Sequence, residues 1–447
     1  MITTTPNWQA KNAAIAKMPI YALTLAGLWG TSVAYTTHDL ARWGITGYPA
    51  YEPWLKTPQG ASQTIDIVNG SSSIGELQCE VVDAGGAVRQ LIGQNTLEGS
   101  KATLLVGYPG LAWSDFATLH TYILYKILPS DGYTSFFFVC RDLQLLEKVT
   151  IYTHPENGEQ LSDDNPWNLS GTPAEIFQAI TLFALGLQAS QIDRATMVAL
   201  DSAAEGNFAP WRPFQFALTQ SFEAKQWLET QVFKPSGLYP VITNTGQLSL
   251  RSMRPPAAGA VPVFAFTQDN LIALPQWDRQ PIVNQAIWEF DYDGSSYQNY
   301  DTFLQATSIS LYNQGSQFSV TSDGLRSELG AFAFAQWVSD RLFRRFCGVA
   351  PAIKGGAPLL TIRAMLMTLP VSVGDYVSLT HPLMPDITTG NLGVTNRIFE
   401  VIDREPDYAS GNMQFQLLDT GLTGMPPAYQ WGAGSARPFI LAASPVY

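Results

Sequence analysis

The side chains that most readily do chemistry are few in this chain and stand apart. The four histidines, His38, His120, His154 and His381, are scattered, and His154 and His381 each precede a proline, a loop context. A general base or a metal centre needs such groups to converge with partners at short range. No P-loop or dinucleotide glycine pattern occurs, nor His-Glu-x-x-His, nor Gly-x-Ser-x-Gly. Gly70-Ser71-Ser72-Ser73-Ile74-Gly75 misses the last by one spacing and reads as a polar turn. Asp291-Tyr292-Asp293-Gly294-Ser295-Ser296, with Asp301 beyond, places oxygen ligands at alternate positions before a glycine, as calcium loops do. Tyr297, Gln298 and Tyr300 stand where further ligands and a closing glutamate belong, so a strand ending in a polar turn is the simpler reading. Asp163-Asp164-Asn165-Pro166 reads as a turn as well. Trp167, Trp211, Trp227 and Trp288 could line a glycan groove, but aromatics of this number more often fill cores and interfaces. The expectation is a protein without catalytic residues, metal ligands or a cofactor site.

Composition points the same way. Charged residues make up 14% of the 447, and hydrophobic ones 46%. A free surface normally carries more charge than this for solubility, so the chain is expected to bury surface against copies of itself or other subunits. The length is enough for about two to four domains. A net charge of −12 argues against a protein that grips nucleic acid, which needs a basic footprint. It is compatible with a conduit whose acidic wall repels phosphates, and equally with a solvated acidic surface. Cys79, Cys140 and Cys347 lie far apart and form no metal-type spacing, so buried free thiols in a reducing compartment are expected.

The elements that must carry these residues are mostly strands. Lys11, Lys17 and the apolar run Ile20–Trp29, followed by Thr31-Ser32-Val33-Ala34, look like a secretory leader. Pro19, Thr24 and the alternation of Tyr21, Leu23 and Leu25 favour a half-buried strand instead. Thr64–Val68, Glu76–Asp83, Val88–Ile92 after the hairpin-like Ala84-Gly85-Gly86-Ala87, Ala102–Tyr108 and Tyr133–Cys140 complete a series of short strands, as in a sandwich or small barrel. Ser170–Glu175 then starts a helix, with Pro173 in the first turn and Ile176, Phe177, Ile180, Phe183, Ala184 and Leu187 on one face until Gly186. A second helix follows Ser221, carrying Phe222, Lys225, Trp227, Leu228 and Val232 before Pro235. A hairpin, Leu238–Ile242 to Gln247–Arg251, comes next, and Arg254–Ala260 has linker composition. Beyond it a strand spans Ala286–Tyr292, and a helix carries Phe332, Phe334, Trp337, Val338, Leu342 and Phe346, with arginines in its last turns. Strands return at Leu359–Ala364, Asp375–Thr380, Asn396–Ile402 and Met413–Asp419. From Gly421 the chain is rich in Gly, Pro and Ala, with Trp431, Phe439 and Tyr447, and reads as an arm that docks on a neighbour or as a frayed end.

This order of parts resembles the hub proteins of tailed-phage baseplates and tail tips and their relatives in gene-transfer agents and contractile injection systems. The local likeness lies in Ser372–Thr420, where Val373-Gly374-Asp375-Tyr376-Val377 opens a strand, Gly390-Asn391-Leu392-Gly393-Val394 and Phe399-Glu400-Val401-Ile402-Asp403 follow, and Phe415–Thr420 closes the module. Phe222–Leu250, a helix and a Gly-Leu-Tyr-Pro hairpin, is a second point of likeness. The resemblance spans about residues 18–420 as a pattern of parts. It implies an α+β, β-rich fold with two tail-tube-like β-barrel modules and an inserted mixed α/β domain containing a helix pair. The division it implies is an N-terminal arm at 1–17, a first barrel at 18–155, the insertion at 156–260, a second barrel at 261–420 and a C-terminal arm at 421–447.

It also implies a non-enzymatic structural protein of the virion, made in the bacterial cytoplasm and placed at the tail tip. Three copies with two barrels each would form a pseudo-sixfold ring adapting a hexameric tail tube or distal tail protein to a trimeric fibre or spike. The ring would meet the tape-measure protein and let DNA pass during ejection without binding it specifically. The phage family's iron–sulfur variants cluster cysteines that this chain lacks. Two other readings compete: a different tail ring component such as a distal tail protein, and a secreted β-rich carbohydrate-binding or carbohydrate-active protein.

Overall fold

The computed structural model describes residues 4–12, 18–26, 32–201, 211–243, 245–253, 261–350, 352–365, 368, 370–387 and 389–423. The linker-like Arg254–Ala260 and the Gly/Pro/Ala-rich segment from 424 lie outside the described residues.

Alternating apolar residues build two large sheets. The first has seven strands, in the order Ser32–Thr36, Ile20–Ala26, Lys101–Gly107, Ala117–Pro129, Ser135–Arg141, Glu76–Val82, Gln59–Gly60. All its pairings are antiparallel. The second runs Ala265–Thr267, Tyr376–Asp386, Asn391–Asp407, Asn412–Thr423, Pro358–Met365, Gln276–Arg279, and Gln63–Asp66 joins it beside Asn391–Asp407.

The two sheets share a strand order. Apart from the edge strand Ser32–Thr36 in the first and the added strands Gln63–Asp66 and Ser71–Ser72 in the second, each has six strands that can be counted along the chain. Both sheets then run first, fourth, fifth, sixth, third, second. Four of the five pairings agree in sense, and only the first–fourth pair differs, antiparallel in the first sheet and parallel in the second. Connections between the third and fourth strands differ too, because the first sheet inserts the helix Ala87–Gln94 there.

That helix corrects the strand expected at Val88–Ile92. Gly85 and Gly86 take positive φ, and the Asp83 carboxylate accepts hydrogen bonds from the Val88 and Arg89 amides. Those contacts satisfy free N–H groups at a helix start, so the local acid and glycines override the apolar run. The run Ile20–Ala26 is a strand, but it is buried on both faces and paired on both sides. Beside it the helix Pro6–Asn12 is pinned to the neighbouring strand: its Trp8 is fully buried and donates its indole N–H to the Val106 carbonyl at 3.0 Å.

The middle of the chain forms a mixed body with its own core. Thr172 caps the helix Pro173–Ala179 in a capping box with Glu175, as the sequence motif requires, and a π-helical turn, Ile180–Ala184, continues it. The second helix begins at Ala224, two residues later than Phe222, because Phe222–Glu223 pairs with Thr150–Ile151. The hairpin Leu238–Ile242/Leu248–Ser252 follows. The long helix Ala331–Phe346 packs its apolar face inward, and a three-stranded sheet, Tyr297–Leu304, Gln285–Tyr292, Gln317–Thr321, flanks it.

Two hydrophobic cores result. One joins the inner faces of both large sheets, from Leu23, Val106 and Phe138 to Phe266, Leu360 and Phe415. The other gathers the helices and hairpin of the middle of the chain with residues from Val283 to Ala357. Among the described residues no helix is long and apolar enough to cross a membrane.

Candidate assembly surface

The residues singled out for chemistry fall on separate elements and into structural roles. His38 stands edge-on to Trp43 beside the Thr37 hydroxyl. In its loop, His154 accepts the Glu156 amide at Nδ1. At a bulge of Tyr376–Asp386, His381 is buried and accepts the Leu383 amide. In the Asp291–Ser296 turn, Asp293 accepts from the Ser295 and Ser296 amides, while Asp291 accepts from Ser327 and Asn299. These oxygens therefore serve the turn itself. Asn165 and Ser162 close a turn at Asp163–Pro166. Trp167 and Trp288 are buried, and Trp288 donates to the Ser339 hydroxyl at 2.8 Å. Trp211 and Trp227 pack on Phe334 and Phe216 at the rim of the core. All three cysteines are free and buried. Among the described residues, His, Cys, Asp and Glu do not gather in threes as a metal site would.

What the structure does bring together is a set of buried polar residues along the seams between parts, of which the sequence pointed only to His120 as a candidate. Arg345 of the long helix meets Glu400 of the second sheet at 2.6 Å, and the Tyr239 hydroxyl of the middle hairpin donates to the same carboxylate at 2.5 Å. Burial and the adjacent Glu400 hold the Tyr239 phenol well above its usual range. Arg404 of the second sheet reaches His120 of the first at 3.0 Å, with both side chains buried. Burial, then the Arg404 charge, holds the His120 imidazole well below its usual range. Asp142, at the end of the first sheet, accepts the Gly75 and Gln144 amides, yet its burial pushes the carboxyl up to about 7. Within the second sheet Arg397 pairs with Asp419 at 2.9 Å. Alternation gave no signal for Arg397 and Glu400, because every residue from Arg397 to Val401 is buried, the charged ones with the apolar ones. A single charge in a strand does not reveal its partner either.

These contacts fix how the parts sit. A buried charge that loses its partner is costly, so Glu400 and Arg345 hold the long helix against the second sheet in one register. The edge Gln59–Gly60 of the first sheet lies against the second sheet where its fifth strand turns into its sixth; Pro58, Gln59 and Gly60 share a cleft there with Arg363, Glu405–Ala409 and Asn412–Gln414. Thr64 hydrogen-bonds the Asp403 carboxylate beside it.

The outer surface is where unsatisfied apolar area collects. Along the edge of the second sheet Ile272, Leu274 and Trp277 are 46%, 64% and 49% exposed. At the end of the first sheet Tyr125, Leu128 and Tyr133 are exposed, as are Leu383 and Leu392 on the hairpin Tyr376–Asp386/Asn391–Asp407. Exposed apolar strand edges are surfaces that assemblies cover.

No protein-family model and no curated protein matches the sequence. Several solved structures are similar to the chain along most of its length. The tail protein from Neisseria meningitidis MC58 is 13% identical, with 92% of this chain and 99% of that one covered, at a TM-score of 0.47. A 43 kDa tail protein of prophage MuSo2 from Shewanella oneidensis is 10% identical, with 90% and 99% covered, at 0.46. A prophage tail protein from Listeria monocytogenes EGD-e is 9% identical, with 90% and 94% covered, at 0.44. Tail proteins, two of them from prophages, are thus among the solved structures that this chain is similar to.

Proposed function

We propose that the chain is a structural hub of a phage tail tip or baseplate. Three copies form a ring that adapts a hexameric tail tube or distal tail protein to a trimeric fibre or spike, and the ring surrounds the path of DNA and of the tape-measure protein. The observation that carries this reading is the strand order shared by the two large sheets. A chain with two like sheets can offer six similar positions from three copies, which is what joining sixfold and threefold partners requires. The modules are read as residues 18–155 and 261–420, the second interrupted by the segment that joins the middle core, with 156–260 as the insertion. Low charge and exposed sheet edges support burial against neighbours. The role needs no catalytic group, and the scattered histidines and turn-bound aspartates fit that.

Immunogold labelling of phage particles with an antibody against the chain tests the placement, and native mass spectrometry of the purified protein tests the copy number. Label at the tail tip and a trimer are expected. Label absent from particles ends the reading. A hexamer would favour a distal tail ring component instead.

A further inference from the structure

The shared strand order also relates two exposed apolar patches, one on each large sheet. Inside the chain, the second-strand edge of the first sheet, Gln59–Gly60, sits on the end of the second sheet where the fifth strand turns into the sixth. At the other end of the repeat, no described strand takes the equivalent position. The second-strand edge of the second sheet, Leu271–Arg279, carries exposed Ile272, Leu274 and Trp277, and among the described residues it pairs on one side only, with Pro358–Met365. The fifth-to-sixth-strand end of the first sheet carries exposed Tyr125, Leu128 and Tyr133. Strand register confirms that the two ends correspond. Val82 is the last residue of the third strand and pairs with Ser135, the first of the sixth; Met365 and Asn412 stand in the same relation in the second sheet. Val82 and Met365 are both exposed.

We infer that the edge Leu271–Arg279 docks onto the Tyr125–Ser135 end of the first sheet of a second copy of the chain, repeating between copies the junction found within one. The inference rests on the hub reading and deepens it by naming both faces of the subunit contact. The contact is heterologous, one face of each kind per copy, so it closes a ring by rotation rather than joining a pair. The in-chain junction supplies the geometry and the apolar side chains supply the affinity. The copies use larger side chains than Gln59 and Gly60 because no covalent connection holds them together.

Native mass spectrometry of the full-length chain provides the test, with Leu274→Asp and Tyr133→Asp as separate variants. Each is expected to weaken association by about 30-fold or more, the loss typical of a central interface residue, with an unchanged melting curve. A second measurement uses cysteines. Leu274→Cys combined with Tyr133→Cys should give covalent multimers on mild oxidation, against a background of three buried native thiols. If the wild type is a multimer, and both charged variants remain so while the double-cysteine chain does not cross-link, this junction is wrong and the hub reading stands. A wild-type chain that stays monomeric at every concentration overturns both.

Discussion

Arg345 and Glu400 meet at 2.6 Å with the Glu400 side chain almost wholly enclosed, and they join the last turn of the long helix to the fifth strand of the second sheet. Both ions lie out of water, so the pair holds its geometry through mutual charge and the Tyr239 hydrogen bond rather than through solvation. Removing one partner leaves the other charge buried. Arg345→Met is expected to lose about 3–5 kcal/mol of stability, the usual cost of breaking a buried pair. Arg345→Met with Glu400→Leu should recover much of that loss. Urea unfolding of the two single variants and the double one checks this; simple addition of the single losses would show that the pair is uncoupled.

Asp142 and His120 should bend the pH profile of stability in opposite directions. The folded Asp142 carboxyl is raised to about 7, above its unfolded value near 4, so the folded state holds the extra proton between them. Stability from this group is therefore present at acid pH and lost as pH rises through about 7. The folded His120 imidazole is lowered, so the unfolded state binds the extra proton below its ordinary value near 6.5, and stability falls on acidification. Asp142→Asn should steepen the acid-side loss, and His120→Gln should remove it. Melting curves taken from pH 5 to 8 test both signs.

Trp8 anchors the segment before the first strand. Its ring lies against Tyr108 at 5.6 Å between centroids, and its N–H is bonded inside the core. Trp8→Ala opens a cavity and leaves the Val106 carbonyl without that donor, for about 3–5 kcal/mol. Amide exchange across Ile20–Ala26 should accelerate with it. Unchanged protection there would mean that the helix Pro6–Asn12 is dispensable.

Thr172 carries the capping box of the helix Pro173–Ala179. Thr172→Ala should cost about 1 kcal/mol, and Thr172→Ser should restore most of it, read as a shift of the urea midpoint. Loss in both variants alike would place the effect in packing rather than in the cap.

Local signals in the sequence were enough for most elements. Period-two alternation over Glu76–Asp83, the strand-like runs Ala102–Tyr108 and Met413–Asp419, and the helical spacing from Phe332 to Phe346 fall on observed strands and a helix, because each reports one chain segment's own buried face. The helix start at Ser170–Glu175 was legible from its proline and acid, while the cap at Thr172 emerged with the structure. Val88–Ile92 was misread because an apolar run of five residues has no decisive period, and the contacts of Asp83 with the following amides settled it as helix. Which strands pair, and in what order, was beyond such signals: the second sheet joins Gln63–Asp66 to Asn391–Asp407 across more than half of the chain. An inward-facing apolar residue is satisfied by any apolar neighbour of suitable size, so its spacing names a face and not a partner. The sequence by itself therefore determined the elements, the scarcity of charge and the scatter of reactive groups. Only the tertiary structure decided the matching order of the two sheets, the meeting of His120 with Arg404 and of Arg345 with Glu400, and which apolar edges stay open, because each depends on contacts between segments far apart along the chain.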